Sequence, residues 1–357
     1  MLNAVKKEIE RIVNSPLSWE KLRDKTVLIT GATGFIGAYF VRALLEKSQK
    51  ENLNIKVVAY VLEAEEAKKM FNKYLKNNSI TLLVGDICNP LSTDQKADYI
   101  IHCASNAAPS EYALYPAETM KINFYGTLNM LEYAKRVGAS GFLYLSTIEI
   151  YGKIMGETVI DENTYGVINS MHARSCYPLS KKACETLCVS FYEEYGVAVK
   201  IGRLSYIFGP GMRRDDSKIV SVFPECVANN RDIIMKSSGE QQRTYTYISD
   251  AITGLLTVLL DGKNGEAYNI GADICKTSIA EIANTLVALY PQKNLKVVFN
   301  PPTELEKRTF SQIGNAVMDT SKIKDLGWSP QIDLKTGLKN VVEERIEIIE
   351  KEMNNNA

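Results

Sequence analysis

The sequence predicts an α/β fold in which a doubly wound parallel sheet is followed by a smaller C-terminal lobe of mixed α/β structure. Three observations predict it. Short apolar runs alternate with longer helical patterns, a glycine-rich turn joins the first run to the first helix, and this regular order is lost after about Gly209. Such alternation is typical of βαβ units, which build parallel sheets. At 357 residues the chain is long enough for about two domains.

The first segment, residues 1–24, is predicted to be a helical N-terminal extension. Val5, Ile9 and Ile12 recur at helical spacing, with charged residues between them. We expect this helix to pack either on the main domain or on a partner subunit.

The strands of the sheet are predicted by apolar runs that begin between residues 25 and 200. In chain order these runs are TVLIT, IKVVAYVL, ITLLVGD, ADYIIHCAS, SGFLYLST and AVKIGRLSYIFGPG. Helical patterns such as AETMKINFYGTLNMLEYAKRVG lie between several of them. We therefore predict one domain over residues 25–200 and a second lobe over 201–357, partly interleaved with the first.

Composition excludes several classes of protein. The 42 basic and 42 acidic residues cancel, so a broad basic face for nucleic acid is not expected. The seven cysteines contain no CxxC and neither histidine lies near a cysteine cluster, so we expect reduced thiols, no metal site and a cytoplasmic location. The chain shows no signal-peptide core and no apolar run of membrane-spanning length, so no membrane insertion is expected.

The glycine-rich turn GATGFIG predicts a phosphate-binding site. Gly31 permits the tight turn, Gly34 lets the backbone approach a pyrophosphate, and Gly37 lets helix and strand pack closely. The helix N-terminus then offers unpaired N–H groups to the phosphates. A packing turn without a ligand is the alternative, but a place at the start of a βαβ series favours a dinucleotide. The expected contacts are Gly31, Thr33, Gly34, Phe35, Ile36 and Gly37.

Acidic residues follow the second and third predicted strands. Glu63 comes two residues after the second strand and is the candidate for the adenosine ribose, or else a solvated helix start. No arginine stands there to meet a 2′-phosphate, which favours NAD over NADP. Asp86, followed by Ile87, is a candidate adenine contact, or else a loop cap.

A tyrosine and a lysine in CYPLSKK predict acid–base chemistry. Tyr177 and Lys181 are four residues apart and share one face of a helix. A phenol of pKa about 10 is a poor base at neutral pH, but a nearby ammonium and a nicotinamide cation lower its pKa. Thr147 ends the fifth apolar run, where its hydroxyl can hold the reacting oxygen. Turn, strand-end hydroxyl and Tyr–Lys pair in this order indicate oxidation beside a dinucleotide.

The two histidines are interpreted as structural. His102 ends an apolar strand and is expected to be a satisfied packing residue near the cofactor. His172 lies in the loop before Tyr177 and is expected to face water, with a substrate contact as the alternative.

At this point the chain resembles the extended short-chain dehydrogenase/reductases, the family of nucleotide-sugar epimerases, dehydratases and decarboxylases. The resemblance runs from Lys25 to about Arg345, and its nearest likeness is to UDP-glucuronate decarboxylases. The segments that carry it are HCASNAAPSEYALYPAETMKINFYGTLNMLEYAKRVGA, STIEIYG, ARSCYPLSKKACET and GEQQRTYTYISD. It implies a Rossmann-type NAD-binding domain, a mainly substrate-binding second lobe, a recycled NAD, a nucleotide-sugar substrate and a homodimer.

The resemblance also implies a mechanism. Tyr177 takes the proton of the sugar 4-hydroxyl, Thr147 holds that oxygen and Lys181 tunes the phenol, which gives a transient 4-keto sugar. A 6-carboxylate then becomes a β-keto acid that loses carbon dioxide. Glu149 and Arg243 match the assisting residues of the decarboxylases. The alternatives are a buried structural carboxylate for Glu149, and a surface salt bridge or a diphosphate contact for Arg243.

Further contacts follow from the same resemblance. Expected cofactor contacts are Ala104, Ser105, Asn123 and Lys181. Expected substrate contacts are Ser105, Tyr112, Arg174, Tyr206, Arg213, Arg243 and Arg308.

The chain departs from the family pattern at three places. Ile148 stands where the decarboxylases have Ser and the 4,6-dehydratases have Asp, and this disfavours dehydration. Tyr206 occupies a position at which the family commonly has Asn. The Arg usual before the Asp of AVMDTSKIKDLGW is absent, and Arg213 or Arg308 are possible replacements. A 4-epimerase, which needs neither Glu149 nor Arg243, therefore stays open, as does a non-catalytic dinucleotide-binding protein, although the latter has no use for a tuned phenol.

Overall fold

A seven-stranded parallel sheet forms the centre of the chain, which this computed structural model describes over residues 1–154, 159–303 and 313–355. The strands are β1 (Thr26–Thr30), β2 (Lys56–Val61), β3 (Ile80–Val84), β4 (Tyr99–His102), β5 (Gly141–Thr147), β6 (Val159–Ile160), β7 (Val199–Leu204), β8 (Tyr206–Phe208), β9 (Ile233–Met235), β10 (Gln242–Tyr247), β11 (Ala267–Ile270), β12 (Lys276–Ser278), β13 (Val297–Phe299) and β14 (Val317–Met318). The central sheet has the order β11-β7-β5-β4-β1-β2-β3, and all its pairs are parallel. The order runs outward from β1 and β4 in both directions, so the predicted doubly wound Rossmann-type fold is confirmed.

Helices cover both faces of this sheet. They are α1 (Asn3–Asn14), α2 (Phe35–Glu51), α3 (Ala64–Leu75), α4 (Pro109–Leu114), α5 (Pro116–Val137), α6 (Cys176–Tyr195), α7 (Ile219–Ala228), α8 (Ile248–Asp261), α9 (Ile279–Leu289), α10 (Ser321–Lys324) and α11 (Leu334–Asn355). Among the described residues, no helix combines the length and the apolar character that a bilayer crossing requires.

Two apolar cores lie on opposite faces of the sheet because side chains alternate along each strand. In β1, Val27 and Ile29 join the core beneath α2 and α8, whereas Leu28 joins the core beneath α5 and α6. In β5, Leu143 and Tyr144 divide in the same way. Burial on both faces explains why these strands read as continuous apolar runs in the sequence.

The second lobe begins where β7 ends. Strands β8, β10 and β12 form a small sheet, and β6 pairs with β14 beside it. Strand β8 starts two residues after β7 ends, and β7 pairs with β5. The lobe therefore lies next to the carboxyl ends of β5 and β7. Strand β11 then returns to the edge of the central sheet beside β7. The division at residues 200 and 201 stays a prediction, and it falls inside β7.

The N-terminal helix α1 packs on the main body of its own chain. Its apolar stripe, which includes Val5, Ile9 and Ile12, is buried, and it lies against α2, α8 and α11. Of the two positions expected from the sequence, the structure places the helix in the first.

The C-terminal helix α11 contributes a buried carboxylate. Glu344 is 1% exposed and accepts a hydrogen bond from the Gly211 N–H at 2.6 Å, while Arg345 donates to the Met212 carbonyl at 2.9 Å. Both contacts hold the turn that follows β8 within the lobe. Burial raises the pKa of Glu344 to about 7 from 4.5, and the Arg345 charge offsets only part of this.

We expect Glu344→Gln to stabilise the protein at pH 8. The folded-state pKa lies above the unfolded one, so the native state binds more protons between pH 4.5 and 7, and the free energy of unfolding falls as pH rises through that window. Glutamine removes the buried charge, which should add roughly 1–3 kcal/mol at pH 8 and much less at pH 5. Urea unfolding at both pH values measures this. Glu343→Gln is the matched control, because its side chain is 53% exposed. An equal gain at both pH values would contradict the prediction.

Candidate active site

The glycine turn lies between β1 and α2, at the point where the strand order reverses. Gly31 has φ +59°, and a Cβ there would lie 3.0 Å from the backbone of Ala104. A Cβ at Gly37 would lie 2.2 Å from the Gly31 carbonyl oxygen, so both positions require glycine. Gly34 is the N-cap residue of α2, and the first residues of this helix line the cavity described below. This close-packed turn at a helix N-terminus fits the pyrophosphate of a dinucleotide.

The expected adenosine contacts lie further along the sheet edge. Glu63 is exposed and stands at the N-cap position of α3, without a capping hydrogen bond from its side chain. The Asp86 carboxylate accepts a hydrogen bond from the Cys88 N–H at 2.9 Å, which is the loop-cap arrangement. Ile87 packs against Gly126 of α5. The cofactor roles of Glu63, Asp86 and Ile87 stay predictions.

A buried hydrogen-bond chain runs beneath the glycine turn. Thr30 Oγ1 accepts from the Ala104 N–H at 3.0 Å and donates to His102 Nδ1 at 2.8 Å. Thr127 Oγ1 donates to the Asn123 carbonyl, so it accepts from His102 Nε2 at 3.2 Å. Burial lowers the pKa of His102 to about 3, so the ring is neutral. His102 is thus the satisfied packing residue that the sequence predicted.

Asn123 joins the two helices that flank the site. Its amide Nδ2 donates to Ser180 Oγ on α6 at 2.8 Å, and its Oδ1 accepts from Ser105 Oγ at 2.8 Å. Ser180 in turn donates to the Tyr177 carbonyl at 3.1 Å. The two polar side chains at 105 and 123 therefore fix α6 relative to the loop after β4.

The structure encloses a cavity of roughly 1040 Å³ between the central sheet and the second lobe. Its wall is formed by the glycine turn, the loop after β4, the carboxyl ends of β5 and β7, and strands β9 and β10 of the lobe. The sequence-predicted residues that line it are Gly31, Gly34, Phe35, Ile36, Gly37, Ser105, Tyr112, Thr147, Glu149, Arg174, Tyr177, Tyr206 and Arg243. This volume is at the upper end of what a small-molecule site requires.

Tyr177 and Lys181 lie on one face of the first turns of α6, as their spacing predicts. Tyr177 is 8% exposed, and Lys181 Nζ donates to the Leu145 carbonyl at 2.9 Å. Burial, and then the negative charge of Glu149, raise the pKa of Tyr177, while the Thr147 hydroxyl and Arg174 lower it. Burial lowers the pKa of Lys181 to about 8. The lowering of the phenol pKa by Lys181 and a bound nicotinamide stays a prediction.

Glu149 is held by an arginine that the sequence had placed among the substrate contacts. Arg174 Nη1 and Nη2 each lie 3.0 Å from a carboxylate oxygen of Glu149, and both side chains are almost fully buried. Arg174 Nη2 also donates to the Tyr112 hydroxyl at 2.9 Å. The Tyr112 ring stacks on the Tyr177 ring, with centroids 5.0 Å apart and planes 18° apart. Glu149, Arg174, Tyr112 and Tyr177 therefore form one connected cluster on the cavity wall.

A second arginine faces the cavity from the lobe. Arg243 on β10 lies over the Tyr206 ring, 4.8 Å from its centroid. Within the described part of the chain, its buried Nε has no hydrogen-bond partner. A largely desolvated guanidinium on a cavity wall is suited to a carboxylate or phosphate oxygen.

A third predicted arginine, Arg213, is not among the described residues that line this cavity. Arg213 is 82% exposed and forms a surface ion pair with Asp215 at 2.6 Å, so its expected substrate contact stays a prediction. Arg308 lies outside the described residues. At the place of the missing family Arg, Val317 and Met318 pair with β6 and present apolar side chains.

The remaining departures also have structural explanations. Ile148 is 1% exposed and packs with Ile150 and Met318 in the small core of the lobe. His172 is exposed, and its Nδ1 accepts from the Arg174 N–H at 3.3 Å, so it caps the short turn that carries Arg174. No three His, Cys, Asp or Glu side chains within the described ranges are placed to hold a metal ion.

This fold and this site define the class of nicotinamide-dependent enzymes of the short-chain type. The chain belongs to the NAD dependent epimerase/dehydratase family, whose model matches residues 27–271. The family and the NAD cofactor expected from the sequence are thereby confirmed. Residues 31–37 and the loop after β4 would hold the dinucleotide.

Similar proteins are found among both curated sequences and solved structures. UDP-glucuronic acid decarboxylase 3 of Arabidopsis thaliana is 33% identical over 87% of this chain and 86% of its own. UDP-glucuronic acid decarboxylase 1 of Xenopus tropicalis is 30% identical over 93% of this chain and 74% of its own. The structure of UDP-glucose 4-epimerase from Thermotoga maritima superposes with a TM-score of 0.77 at 23% identity, covering 91% of this chain and 99% of that one. The structural likeness supports the fold alone.

Proposed function

We propose that this protein decarboxylates a nucleotide-linked uronic acid such as UDP-glucuronate, through a transient 4-keto sugar. The observation that carries the proposal is that Tyr177, Thr147, Glu149 and Arg243 converge on one cavity beside the glycine turn. Relatives named as UDP-glucuronic acid decarboxylases over most of the chain support this choice of substrate.

The first step is removal of the proton from the sugar 4-hydroxyl. Tyr177 is the only group of this site that we assign as base, and the Thr147 hydroxyl, which already lowers its pKa, holds the same oxygen. NAD, when bound, supplies the acceptor for the hydride at C4 and later returns it. Lys181 stays within the buried wall through its bond to the Leu145 carbonyl and favours the phenolate.

The second step breaks the bond between C5 and C6. Once C4 is a ketone, the electrons of that bond flow into the carbonyl as carbon dioxide leaves, and C5 takes a proton. Glu149 lines the cavity, so we assign it to orient the reacting groups and to relay that proton. Arg174 keeps the carboxylate in place through two 3.0 Å contacts. Tyr177 finally returns its proton to the 4-oxygen.

The substrate is positioned by the lobe. We assign the guanidinium of Arg243 to the sugar carboxylate or to the diphosphate, because it lines the cavity and a guanidinium pairs well with either anionic group. Tyr206, in stacking contact with Arg243, replaces the usual amide with an aromatic surface.

A 4-epimerase is the second candidate, and one observation favours it. Both carboxylate oxygens of Glu149 are occupied by Arg174, so the residue is less free to handle protons than decarboxylation requires. An epimerase would use the same Tyr177, Thr147 and Lys181. It would let the keto sugar rotate in the site, so that hydride returns to the opposite face of C4.

Incubation of the purified protein with UDP-glucuronate separates these functions. We expect a nucleotide sugar lighter by the mass of carbon dioxide, detected by mass spectrometry, with no net consumption of NAD. A product of unchanged mass but altered sugar would identify an epimerase. Binding of NAD without any conversion of UDP-glucuronate or UDP-glucose would favour the non-catalytic reading.

We further propose a homodimer in the cytoplasm. Support for the dimer comes from five apolar side chains in and between α4 and α5, each at least 40% exposed: Leu114, Tyr115, Met120, Phe124 and Tyr125. An exposed apolar patch of this kind is typical of a protein interface. Support for the location comes from the seven cysteines, all of which are free thiols.

A further inference from the structure

A buried ion pair lies behind the cavity wall and takes no part in the chemistry proposed above. Glu185 lies on α6, four residues after Lys181 and eight after Tyr177, so the three share one helix face. Arg203 lies on β7, directly opposite Ser146 in the strand register. Arg203 Nε and Nη2 donate to Glu185 at 2.8 to 3.2 Å, and the two side chains are 13% and 9% exposed. Neither is among the described residues that line the cavity.

The carboxylate end of this pair holds the strand that carries Thr147. Ser146 Oγ donates to Glu185 Oε1 at 2.5 Å. Since Ser146 directly precedes Thr147, this bond fixes the end of β5 against α6, the helix that carries Tyr177. This bond therefore fixes the position of the Thr147 hydroxyl relative to the Tyr177 phenol, from the side of the wall that faces away from the cavity.

The guanidinium end holds the turn that carries Glu149. Arg203 Nη1 donates to the Tyr151 hydroxyl at 2.9 Å, and the guanidinium lies 5.0 Å from the Tyr151 ring centroid. Tyr151 ends the 3₁₀ turn Ile148–Tyr151, of which Glu149 is the second residue. The Tyr151 hydroxyl donates in turn to Asn269 Oδ1 on β11 at 2.6 Å. The turn is thus fixed to the central sheet through Arg203.

We propose that the Glu185–Arg203 pair is a positioning unit that sets the relative placement of Tyr177, Thr147 and Glu149. The inference rests on the proposed function, since it concerns the groups assigned there. Stability alone is a weak reason for such a pair, because replacing a buried ion pair by apolar residues of similar volume is often neutral or stabilising. Positioning is a strong reason, because a misplacement of about 1 Å can cost 10²-fold in rate.

The double variant Glu185→Leu/Arg203→Met tests this. It removes both charges together, so no unpaired charge is left in the core and the net local charge is unchanged. We expect kcat to fall about 10- to 100-fold, with KM and NAD affinity within about threefold of wild type. Amide hydrogen exchange over residues 147–151 should become faster, because the bonds to Ser146 and Tyr151 are lost.

The pH profile separates positioning from a structural role. The Thr147 hydroxyl lowers the pKa of Tyr177 only while the two groups stay within hydrogen-bond reach. Losing that contact raises the phenol pKa, so the acid limb of the kcat profile should move to higher pH. Destabilisation of the fold without displacement would leave that limb in place.

Two further variants complete the experiment. Ser146→Ala deletes only the bond between β5 and Glu185, and should give a several-fold loss of kcat and a pH shift of the same sign even if the double variant does not fold. Lys47→Met is the control. This lysine is 5% exposed and donates to the Val13 carbonyl on the far side of the sheet, so its loss should lower the unfolding temperature without moving the pH profile.

The outcomes distinguish the two proposals. Wild-type kcat and pH profile in the double variant, or in Ser146→Ala if the double variant fails to fold, would overturn the positioning role. If Tyr177→Phe is inactive in the same assay, the proposed function survives that result. Full activity of Tyr177→Phe would instead refute the proposed function.

Discussion

Tyr177→Phe is expected to lower kcat by about 10²- to 10⁴-fold, the range that a positioned acid–base group contributes. Phenylalanine keeps the ring that stacks on Tyr112 at 5.0 Å, so the wall of the cavity should retain its shape. What is lost is the oxygen that takes the proton of the sugar hydroxyl. KM should change little, because the phenol is assigned to the transition state rather than to ground-state binding.

Steady-state kinetics with UDP-glucuronate, together with NAD binding measured by fluorescence quenching, check this result. NAD affinity should stay near the wild-type value, since the glycine turn is untouched. Tyr133→Phe is the matched control: its side chain is buried on α5 and its hydroxyl donates to the Gln95 carbonyl at 2.6 Å, away from the cavity. A Tyr177→Phe enzyme within threefold of wild type would remove the basis of the proposed mechanism.

Glu149→Gln is expected to uncouple oxidation from carbon dioxide release. Glutamine preserves the shape of the side chain and can still accept from Arg174, but it cannot carry a proton. We expect carbon dioxide release to fall by about 10²-fold or more. The carboxylate charge raises the pKa of Tyr177, so its removal lowers that pKa and moves the acid limb of the oxidation step to lower pH. Because oxidation continues while carbon dioxide release is slowed, the oxidised sugar should accumulate together with the reduced cofactor.

Stopped-flow absorbance of the reduced nicotinamide and trapping of labelled carbon dioxide measure the two steps separately. Glu46→Gln is a suitable control, because Glu46 is likewise paired with a cation, Lys73, but lies on α2 outside the cavity lining. If Glu149→Gln releases carbon dioxide at the wild-type rate, the carboxylate is structural. If it converts substrate without any loss of mass, the epimerase reading is favoured.

The parts of this molecule that the sequence predicted well are local ones. Gly31 and Gly37 predict the turn correctly because backbone contact distances exclude any other residue at these positions. The shared helix face of Tyr177 and Lys181 was predictable because helix geometry places residues four apart on the same side. The parallel sheet was predicted from the alternation of apolar runs and helices, since parallel strands need such crossovers.

The pairings across the site were less accessible to sequence reasoning. Arg174 and Glu149 are 25 residues apart and meet only because the 3₁₀ turn after β5 folds against the start of α6. The sequence pointed to Arg243 as the partner in the reaction and placed Arg174 on the substrate. No periodicity connects these positions, so only tertiary packing could reveal that Arg174 is the arginine paired with Glu149.

The orientation of Arg213 was inaccessible to sequence reasoning for a related reason. The sequence offered Arg213 as a possible replacement for the missing family Arg, and the structure shows that the turn directs Met212 inward and leaves the Arg213 side chain in water beside Asp215. Which of two neighbouring side chains points inward depends on the path of a loop, and glycines leave that path open.

The return of β11 to the edge of the central sheet has a consequence for any attempt to isolate the cofactor-binding half. A fragment ending at residue 200 would lack β11 and most of β7, and would leave β5, whose seven residues are all buried, as an open border. Uncovered apolar strands of that kind recruit strands from other molecules. The two lobes therefore share one sheet. Dividing the chain at a single position would not give two intact domains, either in evolution or in a cloning experiment.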